Sequence, residues 1–141
     1  MAHNKKFSEY KAAVNAVVPL TTSGALTGVK INATGADRVA FIFSFGTPLT
    51  DAAVSAGLGI WQAATSGATY ARAGASFGAL TAGVINGVTA VLDCNVNPSY
   101  PWLQVSGIIA GSLCPLSVVA VLDNYQNRPP TSLSQSITAN D

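Results

Sequence analysis

Residues 37 to 46 read DRVAFIFSFG, in which Val39, Phe41, Phe43 and Phe45 alternate with Arg38, Ala40, Ile42 and Ser44. A period of two sends successive side chains to opposite faces of a strand. Three phenylalanines and a valine on one side therefore predict a strand that buries its odd-numbered face. From Val88 to Val96 the even positions Val88, Ala90, Leu92, Cys94 and Val96 share one face, against Thr89, Val91, Asp93 and Asn95. That is a second half-buried strand.

Shorter runs extend the pattern outward. Ala16 to Thr21, Val29 with Ile31, Val54 to Ile60, a stretch within Tyr70 to Ile85, and Leu103 with Val105 each read as strands of ordinary length. Leu116 to Leu122 is apolar on both faces, which predicts a central or doubly covered strand. Clusters of small, turn-forming residues punctuate the runs: Thr22-Ser23-Gly24, Thr34-Gly35, Gly46-Thr47-Pro48, Ser66-Gly67, Asn97-Pro98-Ser99 and Gly111-Ser112. Asn86-Gly87 is the pair that a two-residue type I′ hairpin favours.

The expected fold is all-β: a single-domain, jelly-roll-like β-sandwich of about eight antiparallel strands with extended arms at both ends. Residues 1–13 form the N-terminal arm, 14–124 the domain and 125–141 an extended C-terminal tail. His3, Lys5, Lys6, Glu9 and Lys11 crowd the first arm, where Phe7, Tyr10, Val14 and Val17 also fit helical spacing. Pro129 and Pro130 keep the tail out of a hydrogen-bonded ladder.

Seven Lys and Arg and six Asp and Glu make only 9% of 141 residues charged, against about 25% in ordinary soluble proteins. A monomer of this mass exposes about 6,800 Å², or roughly 500 Å² per charge. So charge-poor a surface is expected to be covered by partners. A net charge of +1 provides no field to draw in phosphate backbones, so nucleic acid is not an expected partner. Mean hydropathy is +0.38 and residues 73–92 carry no charge. Gly74, Gly78, Gly83, Asn86 and Gly87 interrupt that stretch and no anchoring flanks surround it, so a membrane helix is not expected. The opening MAHNKKFSEYK has no apolar core of a signal peptide, which predicts synthesis in the cytoplasm. Reduced thiols follow for Cys94 and Cys114, read as small buried hydrophobes.

Acid–base and nucleophilic catalysis need converging titratable groups. The one histidine, His3, and the one glutamate, Glu9, sit in the arm, and Asp37, Asp51, Asp93 and Asp123 are scattered at strand ends. No CxxC, HExxH, GxxxxGK or GxGxxG motif is present. The sequence therefore predicts neither an enzyme nor any catalytic, cofactor or metal site.

The runs VVPLTTSGALTGVKINATGADRVAFIFSFGT and YPWLQVSGIIAGSLCPLSVVAVLDNYQNRPPT, with a glycine-rich region between them, resemble the decoration or cement proteins of tailed-bacteriophage heads, of jelly-roll type. The likeness spans residues 14 to 131 and rests on the opening turn, the "DRV.F" strand, the "YPWLQV" strand and the closing apolar run. Trp61 to Arg72 and Asn127 to Pro130 depart from it. The resemblance implies a virion protein on the outer capsid surface, bridging subunits of the major capsid protein and stabilising the shell. Self-association as a dimer or trimer is expected beside it. A tail, fibre or head-tail component shares the same composition. A carbohydrate-binding jelly roll is the third reading, with Trp61, Tyr100 and Trp102 as its sugar platform.

Alternation offers Trp61 and Trp102 outward as interface anchors, with Tyr100 beside them. In the tail, Asn127, Arg128, Pro129 and Pro130 combine a bidentate cation with a stiffened backbone, suited to reaching a neighbouring subunit.

Overall fold

The computed structural model describes residues 12–48, 53–54, 58–78 and 80–123. They form nine strands and one short helical turn: β1 (Ala12–Thr27), β2 (Ile31–Asn32), β3 (Arg38–Phe45), β4 (Ala53–Val54), β5 (Gly59–Ala63), β6 (Ala71–Ser76), β7 (Leu80–Thr81), α1 (Ala82–Ile85), β8 (Thr89–Asn95) and β9 (Trp102–Asp123). Every pairing is antiparallel, and all the strands belong to one sheet. The all-β, sandwich-like architecture expected from the sequence is what the chain adopts.

Strand β9 is the hub. Its first half pairs with β5, as in Ile60 opposite Val105, and with the end of β1, as in Leu26 opposite Gly107. Its second half pairs with β3, as in Phe41 opposite Ala120, and with the start of β1, as in Val14 opposite Ala120. The sheet runs β6-β5-β9-β3-β8. Its two ends, β6 and β8, return close to each other without a hydrogen-bonded ladder between them, so the sheet wraps nearly into a barrel.

The wrapping needs a corner in the β1–β9 ribbon, and the register shows where it lies. Thr22 faces Cys114 while Gly24 faces Ile109, so β9 advances five residues where β1 advances two. Gly24 (φ 94°) and Gly111 (φ 79°) hold left-handed backbone on either side of this bulge, a conformation that other residues adopt only with strain. The turn chemistry at Thr22-Ser23-Gly24 and Gly111-Ser112 thus bends two long strands instead of ending them. The runs around Leu103 and Leu116 are one strand, carried round a corner.

Inside the wrap lie Val39, Phe41 and Phe43 of β3, Val118, Ala120 and Leu122 of β9, and Leu58, Ile60, Leu103, Val105 and Ile109 from the opposite half, all almost fully buried. Phe77 meets Phe43 edge-to-face with ring centroids 4.9 Å apart. Fully burying each such side chain contributes about 2 kcal/mol. The odd face of residues 38–45 is inside, and the even residues of β8 form its more buried side, as alternation required.

Several local details differ from expectation. β1 begins at Ala12, so Val14 and Val17 lie in a strand and not on a helix. The Val54 to Ile60 run divides into β4 and β5, and β2 keeps two residues. Asn86-Gly87 follows α1 and does not join two paired strands: Gly87 has φ 66° and the Val88 amide donates to Ile85 O at 3.2 Å, the hydrogen bond of a β-turn with Asn86 and Gly87 at its centre. Leu116 to Leu122 is central in the sheet but covered on one face only, since Ser117, Val119 and Val121 are half-buried opposite the core. Cys94 and Cys114 are free and buried, and desolvation pushes both thiols up.

Candidate interaction surfaces

The strand order gives the wrapped sheet two outer faces of different chemistry. On the layer β1–β9–β3–β8, the residues opposite the core line up in cross-strand rows. Asn15, Val119, Ile42 and Val91 form one row, and Ala13, Val121, Ala40 and Asp93 the next. Val18 and Val91 are 56% and 53% exposed. Beside them Pro19, Leu20, Ser44, Gly46, Pro115 and Leu116 border an open groove of about 390 Å³. Charge is confined to Asp93 and to one end of the layer, where Arg38 Nη2 lies 3.5 Å from Asp123 Oδ2. Such exposed pairs contribute at most about 1 kcal/mol. The middle of the face is uncharged and mixes Val91, Val119 and Ile42 with the small polar residues Asn15, Ser44, Ser117 and Thr89.

On the other half, Trp61 sits between Arg72 of β6 and Gln104 of β9, and Trp102 between Ala63 and Asn32. Both tryptophans are half-buried on the outer side, as alternation placed them. Gln104 is buried, donating from Nε2 to Gly28 O at 2.8 Å. Two cations lie over two rings: the Arg72 guanidinium is 5.4 Å from the Trp61 ring centroid and Lys30 Nζ is 5.5 Å from that of Tyr70. Lys30 also donates to Ser66 O at 2.7 Å, so it ties the loop after β5 across the sheet. Trp61 Nε1 and the Tyr70 hydroxyl are buried with no hydrogen-bond partner among the described residues, and burial pushes the Tyr70 phenol up.

Of the residues singled out from the sequence, Trp61 and Trp102 share this face. Tyr100 closes the Asn97–Tyr100 turn just ahead of β9 and is 45% exposed. Asn127, Arg128, Pro129 and Pro130 lie outside the described residues. The alternation argument missed Lys30, Tyr70 and Arg72. Arg72 could have been reached by pairing the strands on either side of Ser66-Gly67, whereas Lys30 is brought to Tyr70 by tertiary structure alone.

Among the described residues, no three His, Cys, Asp or Glu side chains cluster as metal ligands would, and no helix is long and apolar enough to cross a membrane. No protein-family model, curated protein or solved structure matches the chain.

Proposed function

We propose that the chain is a structural protein of a phage particle, one that decorates the outer surface of the capsid, docks on the major capsid protein and cements neighbouring subunits. The observation that carries this reading is the charge-poor, largely apolar face of β1–β9–β3–β8, with valines more than half exposed on a folded sheet. Exposed apolar patches of this kind mark surfaces made to be covered. The likeness of the DRVAFIFSF and YPWLQV strands to head cement proteins supplies the setting. The 9% charge content agrees with a surface largely spent on contacts. The role is mechanical: the chain holds adjacent shell subunits together and self-associates as a dimer or trimer.

Capsids purified without tails or DNA should carry the chain in fixed ratio to the shell protein. Finding it only on tails or fibres would assign it to another virion structure and overturn the cement reading. A carbohydrate platform is disfavoured by geometry, because a sugar needs an open ring face. Arg72 covers that of Trp61, Trp102 is half-buried, and Tyr100 closes a turn. Binding of the isolated domain on a glycan array would restore that alternative.

A further inference from the structure

The face around Trp61 carries two positive charges that no described carboxylate neutralises. Among the described residues the one ion pair is Arg38 with Asp123, at the far end of the other layer, and no described carboxylate lies beside Lys30 or Arg72. Each cation is nevertheless held in place. Arg72 is directly opposite Trp61 in the β5–β6 ladder with its guanidinium over the indole. Lys30 is pinned between the Tyr70 ring and Ser66 O. A ring beneath a guanidinium engages its flat face and leaves its N–H edge free, and one hydrogen bond from an ammonium leaves two donors. Tyr70 immediately precedes β6 and Arg72 is its second residue, so the two ring–cation pairs gather at the start of this strand.

We propose that the Lys30–Tyr70–Arg72–Trp61 face is a docking site for an acidic, extended segment of a partner protein, whose carboxylates pair with the two ring-backed cations. Carboxylates suit the site because the arginine fork donates to their two oxygens bidentately, and immobilised side chains lose little further freedom on binding. Nucleic acid suits it poorly. Single strands bind by stacking bases on open aromatic faces and by many phosphate contacts, but here cations already occupy the rings and there are only two of them. The site stands independently of whether the chain sits on a capsid.

The test uses the full chain and a decapeptide of alternating glutamate and glycine, read by tryptophan emission and by titration calorimetry at low ionic strength. The glutamine–glycine peptide, inorganic phosphate and oligothymidylate serve as comparison probes. Saturable binding of the glutamate peptide alone is expected, weakening severalfold as salt rises to about 0.3 M. Lys30→Gln and Arg72→Gln should each weaken it at least fivefold with unchanged thermal unfolding. No binding, equal binding by the variants, or equal or tighter binding of phosphate or oligothymidylate would each overturn the proposal. So would a variant effect confined to lowered melting temperature, which would make the ring stacks a structural clamp. If Arg72→Gln abolishes self-association while the peptide never binds, the face belongs to contacts between copies and the proposal also fails.

Discussion

Single atoms decide where the wrapped sheet closes. A Cβ on Gly107 would lie 2.4 Å from Leu58 Cα, and one on Gly28 would lie 2.5 Å from Ala16 O; both obstacles are backbone and cannot swing aside. Gly24 presents the opposite case, with φ 94° and open space where a Cβ would go. Gly107→Ala should therefore cost about 3 kcal/mol through overpacking, whereas Gly24→Ala should cost about 1 kcal/mol through strain alone. Denaturant melts of the two variants check the order, and a more damaging Gly24→Ala would refute it. The buried thiols carry a pH prediction. Their pKa values are raised in the folded state, so at alkaline pH the unfolded chain loses protons that the folded chain keeps. Stability is full below the ordinary thiol pKa and falls as pH rises above about 8.5. A Cys94→Ala, Cys114→Ala double variant should flatten that alkaline slope in melts run across the range. At this scale the sequence was partly legible: the outward tryptophans follow from alternation, and the buried thiols from reading cysteine as a small hydrophobe. The glycines at close approaches do not, because what makes them necessary is a neighbour far along the chain.

At the scale of elements, strand existence was readable wherever one face is buried, as in β3 and β8. Strand length was not. Thr22-Ser23-Gly24 and Gly111-Ser112 carry the chemistry of turns, yet each stays within a ladder because the partner strand bulges with it. Local composition shows that the chain bends, and only the pairing shows whether it also leaves the sheet. Asn86-Gly87 misled similarly, since the same turn chemistry serves a hairpin and a turn that leads from a helical segment into a strand. The two faces of β9 can be told apart directly. Val118 is fully buried between β1 and β3, while its neighbour Val119 is half-buried on the outside. Val118→Ala should destabilise the fold by about 2 kcal/mol and Val119→Ala by less than about 1 kcal/mol. Equal losses would show that something covers both faces of the strand.

For the whole molecule, the contrast between its two outer faces matters most. One is largely apolar, with its charges limited to Asp93 and the Arg38–Asp123 end, and the other sets cations on aromatic rings. The scarcity of charge was plain from composition, but its segregation depends on the wrapping, which brings Val18, Val91 and Val119 onto one layer and Lys30 and Arg72 onto the other. Val18→Lys and Val91→Lys alter side chains that are already more than half exposed, so each should change stability by no more than about 0.5 kcal/mol. Combined, they should lower occupancy on capsids at least tenfold in a sedimentation assay of decorated shells. Unchanged occupancy would remove this face from the docking account.

The central position of β9 also sets the order in which the chain can fold as it is made. Among the described residues, β1 and β2 pair with no strand except β9, and β5 keeps only its neighbour β6 without it. A ribosome that has not yet delivered Trp102 to Asp123 therefore holds a chain whose first strand has no partner and whose phenylalanines have no lid. Folding is expected to wait for that strand and then to proceed at once over long sequence separations, which is slow for a chain of this size. Nascent chains arrested before residue 102 should be cut readily by protease, and those with residue 123 clear of the exit tunnel should resist. A circular permutant that places β9 first would have its template ready from the outset, and should gain compactness while still being translated.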